Sequence, residues 1–212
     1  ITNTADRLVI KSGGNVGIGT TNPQTDLHIT DTSANPTIRL SSAANGLTEL
    51  QFGDANDTVR GNIVYRNGTA GDALCFNGYN NTERMRITSA GVLLIGHTSA
   101  TTTSNGENPF LQVKATDSRA GASFIRHSAD AASGGIYLGK SRNATIGSNT
   151  IVNNGDELGR ITFSGDDGTD IHTVAAEIKA FVDGAPGSND MPGRLGFFTC
   201  PDGSASAVEN MR

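Results

Sequence analysis

Residues 14–29 read GNVGIGTTNPQTDLHI and contain two apolar pairs, Val16-x-Ile18 and Leu27-x-Ile29. Alternation with a period of two places both members of a pair on one face of a β-strand. Glycines flank the first pair, and a proline-containing loop separates it from the second; both features are typical of turns. The stretch therefore predicts two short strands connected by tight turns.

The same order of residues recurs along the chain. Residues 83–113 again run from an acidic residue and Arg through alternating apolar residues, a glycine turn, an apolar-x-Ile-Gly strand and a proline-containing loop to Leu-x-Val. The first copy starts at Asp6, and Glu209-Asn210-Met211-Arg212 nearly repeats Glu83-Arg84-Met85-Arg86. Because the three starts are unequally spaced, the chain is not a regular solenoid. We predict a first module at residues 1–82, an enlarged second module at 83–208 and the start of a third at 209–212, and we expect the chain to be a fragment of a longer protein.

The composition favours an all-β fold with little or no helix. The 212 residues include 27 Gly, 8 Phe, 3 Tyr and no Trp, and only 17% are charged, against about 25% in an ordinary soluble domain. Asn-Gly and Asp-Gly dipeptides, which favour tight turns, separate apolar-x-apolar pairs. Residues 174–182 match a helical stripe as well as a strand face, and we predict a strand there. Pairs such as Ile38-x-Leu40 and Ile136-x-Leu138 are predicted strands too.

Charge and hydropathy exclude two classes of partner. The net charge is −5, and no cluster of Lys and Arg provides the basic footprint that nucleic acid requires. No run of about 18 apolar residues is present, so we expect no membrane insertion. Cys75 and Cys200 lack metal-ligand spacing, and we predict two unpaired thiols that pack as small hydrophobic residues.

The apolar faces of these short strands are narrow, commonly two residues per strand, which makes a poor core within one chain. Several copies around one axis would give each narrow face a partner and would cover the strand edges. We therefore predict an elongated homotrimer, with its chains intertwined or side by side in the manner of a β-helix or β-prism.

Three segments resemble the repeats of bacteriophage tail fibres. Gly14 to Pro23 with Leu27-His28-Ile29 is similar to a GNVGIGT-x-x-P…L-x-V repeat, and Glu83 to Gly91 resembles the ERMRI-x-x-x-G repeat that accompanies it. Residues 159–195 resemble a longer block that we associate with fibres of marine and cyanobacterial phages. Leu8-Val9 and Val92-Leu93-Leu94 depart from the pattern, but both departures keep strand character.

The resemblance implies a structural and adhesive, non-enzymatic segment of a homotrimeric fibre on a virion. Its expected partners are further copies of itself, other virion tail proteins and a glycan or protein receptor on the host surface. It would be made in the host cytoplasm and become extracellular after release. Two alternatives stay open: a tailspike-like glycan depolymerase, and a head fibre that decorates the capsid.

Several residues could carry chemistry, and for each a structural role is the stronger interpretation. Gly14-x-x-Gly17-x-Gly19 lacks the order and the following helix of a nucleotide loop. The aspartates around Gly168 do not match a calcium-loop pattern, and candidate acids for glycan cleavage come without the usual aromatic platforms. We predict no catalytic, cofactor-binding or metal-binding residue; those weighed are Asp166, Asp167 and Asp170 for calcium, Asp183, Asp190 and Asp202 for cleavage, and His28, His97, His127 and His172 for an axial metal.

Receptor contacts are expected on loops, because binding residues concentrate where a rigid scaffold presents irregular chain. The strand pattern lapses at residues 101–109 and 140–156. We predict that these two loops face the receptor.

Overall fold

The computed structural model describes residues 8–68, 71–103 and 106–212. Within these ranges the chain forms three β-sheets and a single 3-10 turn at Tyr79–Asn81, which confirms the predicted all-β class. The strands are β1 (Leu8–Ile10), β2 (Val16–Ile18), β3 (Leu27–Ile29), β4 (Leu47–Phe52), β5 (Gly61–Arg66), β6 (Ala73–Gly78), β7 (Thr82–Thr88), β8 (Leu93–Ile95), β9 (Leu111–Val113), β10 (Glu157–Gly165), β11 (Thr173–Val182), β12 (Gly193–Thr199) and β13 (Val208–Met211). No helix within the described residues has the length and apolar character needed to cross a membrane.

The sheets follow chain order. Strands β1 to β3 form a three-stranded sheet, β4 to β9 a six-stranded sheet and β10 to β13 a four-stranded sheet. Neighbours are antiparallel except for the β2–β3 and β8–β9 pairs, which are parallel. Strand β11 covers residues 173–182, so the predicted strand at 174–182 is confirmed. Strand β7 pairs with β6 and with β8, so the six-stranded sheet continues through residues 82 and 83.

The sequence repeat is also a repeat of hydrogen bonds. In the first copy Val16 N donates to Asp26 O at 2.7 Å, and in the second Leu93 N donates to Phe110 O at 2.7 Å. Three further bonds of the first copy have a counterpart in the second. Gly14 N donates to Lys11 O as Gly91 N does to Thr88 O, and Lys11 N donates to Asn15 O as Thr88 N does to Val92 O. Thr30 N donates to Ile18 O as Lys114 N does to Ile95 O. Asp6 and Arg7, which open the first copy, lie outside the described residues.

One glycine of each copy is required by a close backbone approach. Gly19 has φ +76° and Gly96 has φ +81°, a region that side-chain-bearing residues rarely adopt. A Cβ atom at Gly19 would overlap the carbonyl oxygen of Thr30, and one at Gly96 would overlap that of Lys114. Both glycines stand directly after the apolar-x-Ile strand, so each lets the parallel third strand lie alongside it.

Two predicted strands are wrong for this chain. The pairs Ile38-x-Leu40 and Ile136-x-Leu138 have the predicted alternation, but neither lies in a strand. A strand requires a hydrogen-bonded neighbour, and no described segment of the same chain pairs with them. The Asn-Gly dipeptide at residues 77 and 78, one of those predicted to form a tight turn, is a second correction. Gly78 has φ −100° and ends β6, and Asn80 and Asn81, with φ +57° and +53°, make the turn instead.

The chain buries little of its surface. Its accessible surface is 15560 Å², whereas a compact monomer of 21.9 kDa exposes about 9,300 Å² by the usual scaling with mass. The fully buried side chains are few, and Val64, Ala73 and Cys75 form the cluster at the centre of the six-stranded sheet. About 6,000 Å² beyond the compact expectation is therefore left uncovered.

Candidate functional site: an open apolar face and a polar cleft

The six-stranded sheet presents large apolar side chains on one face. Register places them in two rows that cross the sheet from strand to strand. Phe52 and Leu111 remain 55% and 57% exposed. The rows are Leu50–Ile63–Phe76–Met85–Ile95–Val113 and Tyr65–Leu74–Ile87–Leu93–Leu111.

The other two sheets repeat this arrangement. Leu8 and Ile10 of β1 are 62% and 70% exposed, and Met211 of β13 is 58% exposed. We call these rows, together with those of the six-stranded sheet, the open apolar face. The further rows are Leu8–Ile18–Ile29, Ile10–Val16–Leu27 and Ile161–Ile178–Phe197–Met211.

The opposite face of the six-stranded sheet is closed by its own side chains. Arg86 donates to both carboxylate oxygens of Glu83, at 2.5 and 2.7 Å, and Arg66 lies 3.5 Å from the same carboxylate. Burial raises the pKa of Glu83, but the hydrogen bonds from Arg86 and the charges of both guanidinium groups outweigh burial, and the net pKa is lowered. Beneath these charged groups Val64, Cys75 and Leu94 are fully buried.

The four-stranded sheet closes its polar face in the same way. Glu177 is buried and pairs with Lys179 at 2.6 Å and with Arg160 at 3.6 Å. Lys179 also lies 4.9 Å from the ring centre of Phe198, and Arg194 lies over Phe181 at 4.6 Å. These contacts pair the charged groups with one another and with the aromatic rings. The six-stranded and four-stranded sheets thus each have one face whose groups are paired within the chain and one whose apolar groups are not.

A cleft of about 650 Å³ lies between the third strand of the second repeat and the first strand of the four-stranded sheet. Thr101, Thr102 and Thr103 line it, together with Glu107, Gln112, Lys114, Arg160, Thr162 and Ser164. Gln112 and Lys114 alternate with the open apolar face along their strand, as Arg160 and Thr162 do along theirs. The cleft therefore belongs to the polar side of both sheets.

Hydrogen bonds hold the walls of the cleft. The amide of Gln112 accepts from Thr101 N at 3.0 Å and donates to Thr101 O at 3.1 Å. Thr102 Oγ1 lies 2.9 Å from His172 Nε2, which connects the two sheets across the cleft. Lys114 Nζ donates to Thr101 Oγ1 at 2.6 Å, and no ion pair among the described residues involves Lys114. Its ammonium charge is therefore available to a ligand.

The predicted loop 101–109 is the loop that forms this cleft, although Ser104 and Asn105 lie outside the described residues. The polar partners on the strands were not predicted, because nothing in the local pattern shows that residues 112–114 and 160–164 meet. The run of three threonines is the one signal in the sequence that pointed towards a hydroxyl-rich surface.

The second predicted loop, 140–156, is anchored at its end. Both oxygens of Asp156 accept from Arg142 at 2.6 Å, and Asp156 Oδ2 also accepts from Asn153 N at 3.0 Å. The Arg142 guanidinium holds the pKa of Asp156 well below its usual range. Val152 is buried, whereas Ile146 at the loop tip is fully exposed.

The residues weighed for metal or catalytic roles have local structural partners. Asp167 accepts from Thr169 N and Thr173 Oγ1, both at 2.8 Å, and Asp166 accepts from Gly168 N. No group of three or more His, Cys, Asp or Glu that could hold a metal occurs among the described residues. The remaining candidates lie apart in the fold: Asp183 beside Arg194, Asp190 in the 187–190 turn, Asp202 after β12, His28 on β3, His97 bonded to Ser99 O and His127 on an exposed segment. Gly14, Gly17 and Gly19 lie in and around the β1–β2 hairpin.

Comparisons with known proteins place the fold. No protein-family model matches the chain, and no curated protein matches it in sequence. Among solved structures, the carboxy-terminal domain of the bacteriophage T5 L-shaped tail fibre matches with a TM-score of 0.62 at 15% identity, over 88% of this chain and 86% of that one. The chain is therefore similar to a phage tail-fibre domain in its β fold.

Proposed function

We propose that the chain is a structural and adhesive segment of a phage tail fibre, located on the virion and assembled as a homotrimer. The observation that carries this proposal is the open apolar face, which occurs on every sheet and which, in the six-stranded and four-stranded sheets, lies opposite a face closed by paired side chains. The tail-fibre-like fold supports the same role.

The uncovered area suits association with further copies. The excess of about 6,000 Å² over a compact monomer is on the scale of obligate interfaces, which bury about 2,000–5,000 Å² and resemble a domain core cut in half. In the six-stranded and four-stranded sheets, the paired groups of the opposite face leave the side with the apolar rows for such contact. Three copies around one axis give each row two partners and leave the polar faces in water.

Light scattering after size exclusion tests the assembly, with an expected mass of three chains. Ile161→Asp adds a charge to the open apolar face, and we expect it to dissociate the trimer. Ser164→Asp adds the same charge on the same strand but on the polar side, and it should leave the mass unchanged. A monomer mass for the unaltered chain would refute the trimer.

For attachment, we propose that the cleft takes an acidic saccharide of the host surface. Hydroxyl groups, an amide and the ammonium of Lys114 line it, together with the Glu107 carboxylate and the guanidinium of Arg160, which pairs with Glu157 and Glu177. Lys114 is therefore the cation that we expect to meet a sugar carboxylate, while the hydroxyl and amide groups recognise sugar hydroxyls. No aromatic side chain of the described residues lines the cleft, which disfavours neutral sugars that bind by stacking.

Saturation-transfer NMR with a uronic-acid oligosaccharide and its neutral counterpart tests this site. We expect binding of the acidic sugar only, and a loss of at least tenfold in affinity in Lys114→Ala. Lys11→Ala, which removes an exposed ammonium from the β1–β2 turn, is the matched control. Equal binding by both variants would remove the cleft from consideration, and release of new reducing ends from the sugar would indicate an enzyme instead.

A further inference from the structure

Residues 122–140 have the sequence pattern of β-strands but form no strand in this chain. Their two arms, 122–127 and 135–140, read ASFIRH and GIYLGK, rich in the β-branched and aromatic residues that strands favour. Yet neither arm belongs to a sheet, and among the described residues this segment forms no backbone-to-backbone hydrogen bond. Phe124, Ile125, Ile136 and Tyr137 are 62%, 74%, 71% and 91% exposed. Among the described residues, the backbone groups of both arms thus lack backbone partners, and these four apolar side chains are largely uncovered.

The segment is nevertheless arranged for pairing. Arg126 donates to both oxygens of Asp130, at 2.8 and 2.6 Å, across the bend between the arms. A Cβ atom at Gly134 would lie 3.1 Å from Phe124 O, so the second arm returns close to the first. The chain therefore doubles back as in a hairpin, while its ladder bonds stay unmade.

The second arm lies on the open apolar face. Leu138 contacts Gly159 and helps to line an apolar pocket of about 130 Å³, together with Ile161, Ile178, Ala180 and Leu195. Leu138 packs on its own sheet, whereas its neighbours Ile136 and Tyr137 remain 71% and 91% exposed. Whatever covers the open apolar face of the four-stranded sheet must also meet this arm.

We infer that residues 122–127 and 135–140 are strands completed by another copy of the chain, which hydrogen-bonds to their backbone in the assembled fibre. This inference rests on the proposed homotrimer and specifies that its chains are intertwined here rather than only side by side. A second copy is the occupant because it brings the same unmade ladder and the same uncovered apolar rows. Extended segments commonly gain affinity in this way, from main-chain bonds made along an exposed strand.

Hydrogen–deuterium exchange of the full chain tests the inference. We expect the amides of 122–127 and 135–140 to exchange as slowly as those of β11 in the assembled protein. In the Ile161→Asp monomer they should exchange at least a hundredfold faster, while β11 stays protected. The intrinsic exchange rates of an unstructured chain of the same sequence are the reference for an unprotected segment.

Each contrary outcome has a distinct meaning. Fast exchange of both arms in a protein of trimer mass would overturn strand completion and leave the trimer standing. Protection that persists in the monomer would overturn it as well, because the ladder would then lie within one chain. A monomer mass for the unaltered protein would instead refute the proposed function. Because the chain has no Trp, Tyr137→Trp provides a second readout: its emission should shift to the blue in the trimer and return to that of solvated Trp on dissociation.

Discussion

The three-stranded sheet and the β7–β9 end of the six-stranded sheet are two versions of one unit. Their ladders have the same register, with one antiparallel and one parallel pair, and their connecting hydrogen bonds correspond one to one. They differ on the polar face, where Val9, Gly17 and His28 of the first occupy the places of Arg86, Leu94 and Gln112 of the second. Within the part of the chain that the structure describes, only the second continues into further strands. The ladder is thus set by glycines and apolar alternation, and the polar face is free to acquire other roles.

The largest expected effect breaks the ladder itself. Gly96→Ala should destabilise the protein by about 2–3 kcal/mol, because it adds left-handed strain and overlaps the Lys114 carbonyl. Gly91→Ala has similar strain at φ +79° but only one distant neighbour, 4.0 Å away, and should cost about 1 kcal/mol. Urea unfolding measures both. Equal costs would show that close approach to the parallel strand is not what requires the glycine, here or at Gly19.

An intermediate effect, on the free energy of unfolding, should distinguish the polar face of the first unit from that of the second. Gln112 is buried and bonded to the backbone of the 101–109 loop, so Gln112→Ala leaves those backbone groups unpaired and should cost about 1–3 kcal/mol. His28 occupies the corresponding place, with a single 3.4 Å contact from Gln24 N, and His28→Ala should cost less than about 0.5 kcal/mol. The same unfolding assay compares them. A costly His28→Ala would mean that the first unit has more on this face than its contacts indicate.

The smallest expected effect is a dependence on pH that only the second unit has. The folded pKa of Glu83 is lowered, so its contribution is fully present above about pH 4.3, the ordinary value for Glu. That contribution is lost as the pH falls through the folded pKa. When the pH is lowered to 3, amides of β8 should therefore exchange faster than the pH dependence of intrinsic exchange alone predicts. Amides of β2 should not, because Val9 replaces Arg86 there. Glu83→Gln should remove the difference, and its persistence in that variant would assign it to another group.

The sequence was sufficient to predict local strands and turns, but not the contacts between segments that are distant in the chain. Val16-x-Ile18 and Leu93-x-Ile95 became strands because glycine turns return the chain to a partner a few residues away. Ile136-x-Leu138 has the same alternation. A period of two shows which face of a strand is apolar, but it does not show which segment supplies the hydrogen-bonded neighbour. The cleft was not predicted for a related reason. Gln112 and Arg160 line one cleft only because two sheets pack together, whereas the 101–109 loop could be recognised in the sequence as an interruption of the strand pattern. The module boundaries at residues 82 and 208 stay predictions.

The bulge inside the repeated motif that starts at Glu83 and at Glu209 has a consequence for how such chains change length. Arg84 is the extra residue between the pairs Phe76–Met85 and Asn77–Glu83, and Asn210 is the extra residue between Phe197–Met211 and Phe198–Glu209. Because the same bulge occurs at both places, and three antiparallel steps precede each, the chain arrives with the same direction and the same face forward. A module joined to another at this residue would therefore continue the sheet in the same direction and with the same face forward. Segments added or removed between two such bulges would not invert the strands that follow.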